Sequence, residues 1–224
     1  MSYLAIDLGT SFIKGAVLDL DTYQHAHVRR QPFPAALPDR PAFFYEVDTL
    51  AIVDATRRLI EELEREGVNT RGVITDAERL TALVILGIRD NTTFPLIFYR
   101  ENCADMALDE ADIDEAYIAS AGCVLLSGTH LSRAGVFAAS LRAAKIAKKA
   151  GRKVAFDVDY RPVLWGLEKR DQGENRFVAN DQVTTQLQTI VPLCDLIVGT
   201  DEEIHILGGT TDTIAALRAI RAKT

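Results

Sequence analysis

Residues able to do chemistry fall into five short stretches of this 224-residue chain. In the first, Asp7-Leu8-Gly9-Thr10-Ser11, Lys14 follows closely. Glycine lets backbone N–H groups approach phosphate oxygens, the Thr10 and Ser11 hydroxyls add donors, and Asp7 can hold hydrated Mg2+. An ordinary β-hairpin with a polar turn explains the same residues. In the second, Tyr99-Arg100 ends the run FPLIFYR. A guanidinium fork there suits a carboxylate in bidentate geometry; a surface arginine beside a strand end is the alternative. The third, FDVDYRPVLWG at 156–166, gathers Asp157, Asp159 and Arg161 at the carboxyl end of an apolar run before Pro162 redirects the chain. Strand alternation puts both aspartates on one face and Val158 on the other. Trp165, the only tryptophan, reads as a core anchor. The fourth, DLIVGTDEEIHILGG at 195–209, sets Asp201, Glu202 and Glu203 in the first turn of a helix. The helix dipole favours acids there in any case; the functional reading has one of them holding hydrated Mg2+ near nucleotide phosphates. In the fifth, Ser127-Gly128-Thr129-His130, the histidine either contacts a substrate or serves the structure.

The elements that must position these groups follow from periodicity. Residues 3–8 and 12–20 read as two strands around Gly9-Thr10-Ser11. A proline-rich stretch, QPFPAALPDRPAFF, excludes helix. Asp48 then caps a helix to about Glu66, with Ile52, Val53, Thr56, Leu59, Ile60 and Leu63 on its apolar face. TALVILGIRD and FPLIFYREN read as paired strands separated by Asn91-Thr92-Thr93. CVLLSG, KVAFDVD (153–159) and DLIVG read as buried strands. They alternate with a helix that Ser132 caps and Gly151 stops, a helix over about 181–191, and helices starting near Thr200 and Asp212. Such alternation implies a parallel sheet covered by helices on both faces, with ligands at the carboxyl ends of its strands. Ser127, Thr129, His130, Asp157, Asp159, Arg161, Thr200, Asp201 and Glu202 should converge there.

A net charge of −7 and a pI near 5.2 carry no nucleic-acid footprint. No apolar run reaches the roughly 18 residues of a membrane span, and no leader peptide is visible. Cys103, Cys123 and Cys194 lack metal-ligand spacing and read as buried thiols of a reducing, cytoplasmic compartment. Self-association is left open.

Two resemblances add to this reading. AIDLGTSFIKGAVLD resembles the phosphate-binding opening of the FGGY-family sugar kinases, relatives of hexokinase and actin, over about residues 1–63. From Gly67 onward, GVNTRGVITDAERLTALVILGIRD, TFPLIFYRENCADMAL, Ser127 to His130, FDVDYRPVLWG and CDLIVGTDEEIHILGG resemble the ribokinase-like PfkB sugar kinases. The likeness is to the branch that phosphorylates a deoxy keto-sugar acid, 5-dehydro-2-deoxygluconate, in inositol catabolism. These resemblances imply an α/β chain: an FGGY-like hairpin and helix over 1–66, then a partial ribokinase-like parallel sheet over 67–224, truncated at both ends. They imply ATP and Mg2+ as cofactors and a small sugar acid as partner, with no nucleic acid or membrane.

By the same resemblance Arg100 and Arg161 match arginines that bind a sugar-acid carboxylate, with Tyr99 and Asp159 beside them. Asp7, Gly9, Thr10, Ser11 and Lys14 are the phosphate contacts. Glu202 matches the glutamate of an N-x-x-E magnesium motif, with Gly199 standing where the motif has asparagine. The family's G-A-G-D motif, which supplies an anion hole and the catalytic base, does not occur in the 224 residues. The expectation is therefore a sugar-acid kinase by family. The alternatives are a catalytically inactive composite without its base, and a fragment of the FGGY type.

Overall fold

Alternating apolar residues make β1 (Ser2–Leu8) and β2 (Phe12–Asp19) an antiparallel pair, with Asp7 opposite Lys14 and Leu8 opposite Ile13. The structure is a computed structural model that describes residues 2–8, 12–19, 24–38, 48–65, 67, 69–86, 96–167 and 177–224. The turn residues Gly9, Thr10 and Ser11, the Asp7 side chain, and Asn91-Thr92-Thr93 lie outside what it describes. A third strand, β3 (Gln24–Pro32), pairs with the far edge of β2, and the register shifts between Gly15 and Val17. Sequence patterning missed β3 because QHAHVRRQP is mostly polar. A strand on the edge of a sheet needs few apolar groups, and β2 supplies its backbone partners.

Helix α1 (Thr49–Arg65) begins where Asp48 Oδ1 accepts the Leu50 N–H at 2.9 Å, as expected of its cap. Ala55 and Leu59 are buried against Ile13 and Phe33, with Ile52, Thr56 and Ile60 half-buried. Val53, expected on that face, is 42% exposed. It lies about 100° around the helix from Ile52, which puts it off the Ala55–Leu59 stripe. Gln31 Nε2 donates to Glu62 Oε1 at 2.6 Å, tying β3 to the helix.

The chain divides into two units, Met1–Val73 and Ile74–Thr224. The second unit opens with β4 (Leu83–Leu86) antiparallel to β5 (Leu96–Tyr99), as the two apolar runs predict. Asp114 then caps the short helix α2 (Glu115–Ser120). The main sheet consists of β6 (Cys123–Ser127), β7 (Lys153–Asp157) and β8 (Leu196–Val198), all parallel and in that order. Between and after them run α3 (Ala134–Lys149), α4 (Asp181–Gln188), α5 (Asp201–Gly208) and α6 (Thr213–Arg221). Leu126, Val154, Phe156 and Val158 pack with Ala144 and Ala147 of α3, Val183 and Leu187 of α4, and Ile206, Leu207, Ala216 and Ile220. On the opposite side of the same strands Leu125, Leu196 and Val198 are 72, 57 and 53% exposed.

Two local expectations are corrected. Ser132 does not cap α3: its hydroxyl donates to the Thr129 carbonyl at 2.7 Å, closing a 3-10 turn over Gly128–Ser132. Arg133 takes the cap position, without a side-chain bond. Strand β7 ends at Asp157, not at 159, because Asp159 turns left-handed with φ +32°.

Asp195 fastens β8 to the start of β7. It accepts the Val154 N–H at 2.9 Å and faces Lys153 Nζ at 3.0 Å and Lys148 Nζ at 3.2 Å. The Val154 N–H, helped by the two ammonium groups, holds its carboxyl down at about 2, from an ordinary 3.8. The folded value is depressed, so the stability it contributes is complete above about pH 4 and lost as pH falls toward 2. Asp195→Asn is expected to flatten the stability–pH curve in that window. Urea titrations read by the lone Trp165 at a series of pH values check it, and an unchanged slope contradicts it.

Candidate functional site

Parallel pairing brings the carboxyl ends of β6, β7 and β8 to one edge, with Ser127 opposite Asp157 and Asp157 opposite Val198. Two close approaches hold the loops beyond that edge. A Cβ on Gly128 would lie 1.9 Å from the Val158 carbonyl oxygen, so only glycine lets the β6 and β7 loops meet. The Val158 N–H donates to the Val198 carbonyl at 2.9 Å, continuing the β7–β8 pairing by one bond.

A polar network grows on this frame. Ser127 Oγ and Thr129 Oγ1 are 2.8 Å apart, and Ser127 donates to Asp159 Oδ2 at 3.3 Å. Arg161 sits between two carboxylates: its Nη2 is 2.9 Å from Asp159 Oδ1 and its Nη1 is 2.9 Å from Glu203 Oε1. Its Nη1 also donates to the Tyr160 carbonyl at 3.0 Å. Glu203 is buried and accepts the Thr200 N–H at 2.8 Å through Oε2, while the Thr200 hydroxyl accepts the Glu203 N–H at 3.4 Å. Asp157 is pushed up, first by burial and then by the negative charges of Asp159 and Glu203.

Glu202, which sequence reasoning matched to a magnesium motif, adjoins Glu203, whose carboxylate pairs with Arg161. A local signal was present. Thr200-x-x-Glu203 is a capping box, which turns the N3 acid back toward the helix start. Glu202 is half-buried in the same turn.

Arg100 follows β5, as expected, and its Nε donates to Asp105 Oδ2 at 3.0 Å while Nη2 pairs with the same oxygen. Tyr99, one residue earlier, is half-exposed. Arg100 lines a cleft of about 640 Å³ with Phe98, Met106, Arg133, Trp165 and Gln186. Trp165 Nε1 and Asp105 Oδ1 are buried and have no hydrogen-bond partner among the described residues. His130 is half-buried in the turn after β6. Burial and then the Arg100 charge push its pKa below the ordinary histidine value, against the opposing fields of Asp105 and Asp159. Asp7 and Lys14 belong to the first unit, where they are register partners.

Among the described residues no three His, Cys, Asp or Glu side chains gather as a metal cage. Asp159 and Glu203 are committed to Arg161. This donor set fits a hydrated ion held chiefly by nucleotide phosphates, with one acid contributing, and not a protein-enclosed metal.

Comparison with known proteins places the geometry. A sequence model of the pfkB family carbohydrate kinases matches residues 53–224, beginning inside α1. A 5-dehydro-2-deoxygluconokinase of Geobacillus kaustophilus is 33% identical over 152 residues, 67% of this chain and 42% of that protein. One from Bacillus velezensis is 30% identical over 169 residues, 73% of this chain and 48% of that protein. The chain spans about half the length of the curated relatives it matches. Among solved structures, a PfkB protein from Polaromonas sp. JS666 superposes with TM-score 0.60 at 20% identity, covering 92% of this chain and 67% of that one. A fructokinase with bound ATP from Xylella fastidiosa gives TM-score 0.57 at 23% identity, over 74% of this chain and 49% of that one. These likenesses bear out the ribokinase-like fold.

Proposed function

Because the chain belongs to the pfkB family of carbohydrate kinases, we propose that it serves ATP-dependent phosphorylation of 5-dehydro-2-deoxygluconate. In that reaction the bond from ATP's γ-phosphorus to its bridging oxygen breaks and ADP leaves. A sugar hydroxyl gains the phosphoryl group and gives its proton to a base. The reading is supported by relatives of that name at about 30% identity over two thirds of the chain. The observation that carries it is the pair of arginines, Arg100 in its cleft and Arg161 at the strand ends.

Arg100 and Arg161 are the cations available to the sugar-acid carboxylate, Tyr99 borders Arg100, and Asp159 orients Arg161. Mg2+ would supply neutralisation of phosphate charge, and Glu202 is the acid that would hold it through water. Asp7, Gly9, Thr10, Ser11 and Lys14 are assigned separately, as phosphate-contacting residues of the first unit.

Isothermal titration with 5-dehydro-2-deoxygluconate tests the reading, together with ADP release when ATP and Mg2+ are added. Arg100→Ala is expected to weaken the sugar acid about 30-fold, the loss of a charged hydrogen-bond donor worth about 2 kcal/mol. A parent chain with no saturable binding and no ADP release overturns the proposal.

A further inference from the structure

Arg161 is held from two sides, and the two holds differ in depth. The Asp159 side chain, 31% exposed, takes Nη2 at 2.9 Å; that of Glu203, 7% exposed, takes Nη1 at the same distance. The Arg161 side chain is 27% exposed, so it meets solvent while its deeper anchor does not.

The anchor is itself fixed. Glu203 Oε2 accepts the Thr200 N–H at 2.8 Å, and Oε1 takes Arg161. A Cβ on Gly199 would lie 3.1 Å from Glu203 Cβ, 3.3 Å from its Oε2 and 3.3 Å from Val158 Cβ, so the bare backbone at 199 is what gives this side chain its room. Arg161 follows β7 and Glu203 stands in the first turn of α5. One carboxylate thus joins a helix start to a guanidinium in a loop.

Stability is a weak reason for such a pair. Taking both ions out of water offsets much of their attraction, and a capping box needs only an acceptor at N3, which glutamine also supplies. Net charge is no reason either. With Asp157 and Asp159 already beside Arg161, a third acid disfavours any anion at this edge. What the pair does supply is a fixed direction for a long side chain, whose ordering otherwise opposes binding.

We infer that Glu203 is a positioning residue for the sugar acid: held by the Thr200 N–H at the start of α5, it aims the solvent-facing side of Arg161 at the acid's carboxylate. This rests on the sugar-acid reading above and adds to it the group that makes Arg161 ready.

Titration calorimetry of the whole chain with 5-dehydro-2-deoxygluconate tests it, with Glu203→Gln and Glu203→Asp beside the parent. Affinities are compared at a temperature where Trp165 emission shows all three folded. Glutamine keeps the length and an acceptor for the Thr200 N–H and removes the charge. Aspartate keeps the charge and falls one methylene short of Arg161. Each is expected to weaken binding about fivefold, roughly the loss of one well-placed hydrogen bond. Field and position predict different patterns. An acid acting through its charge alone would make Glu203→Gln bind the anion more tightly and leave Glu203→Asp unchanged. Binding by Glu203→Gln that is within twofold of the parent, or tighter, therefore overturns this inference alone. So does binding by Glu203→Asp within twofold of the parent. A parent that does not bind overturns the sugar-acid reading and this inference together.

Discussion

Gly128→Ala is expected to destabilise the second unit by about 3 kcal/mol or more, lowering its melting midpoint by roughly 10 °C. The added methyl would lie 1.9 Å from the Val158 carbonyl oxygen and 2.9 Å from its carbon, and the ring of Phe156 closes the other side at 3.4 Å. The obstacle is backbone, held in turn by the Val158 N–H bond to Val198, so no side chain can rotate away. The β6 loop has to lift off the β7 loop, which breaks the Ser127–Asp159 bond and moves His130. Trp165 is the only tryptophan and lies in this unit, so its emission during heating reports the unit on its own. A midpoint within 2 °C of the parent contradicts the close approach.

Arg161→Ala is the second large effect. It removes the cation that pairs with buried Glu203, with Asp159 and Asp157 facing it, a loss expected to cost about 3 kcal/mol. Adding Glu203→Gln to Arg161→Ala is expected to restore more than half of the loss at pH 7, because the charge that lacked a partner is gone. Denaturation of the two single variants and the double variant, read at Trp165, measures the coupling. Additive losses mean that Arg161 and Glu203 do not act as a unit.

The main sheet was legible because its strands are short continuous apolar runs ending in polar residues, and CVLLS and KVAFD could hardly be anything else. The helix caps Asp48, Thr200 and Asp212 were legible for the same local reason: each side chain bonds an N–H two or three residues on. What escaped was set at a distance. Strand β3 exists through its partner β2 more than through its own composition. Asp159 was assigned to a strand because alternation assumes extended backbone, and nothing in VDYR announces a left-handed residue. The Arg161–Glu203 pair joins positions 42 residues apart, so it is made by tertiary packing.

The exposed side chains of Leu125, Leu196 and Val198 have a colloidal consequence. They form an oily stripe across neighbouring strands, and what keeps two such stripes apart in solution is mutual repulsion between molecules of net charge −7. That repulsion vanishes near pH 5.2 and is screened within about 8 Å at physiological salt. The chain is thus best dispersed in dilute buffer on the alkaline side of neutrality. In acid, the protonation that neutralises its surface acids also removes its protection against clumping, while the fold that Asp195 fastens is still intact.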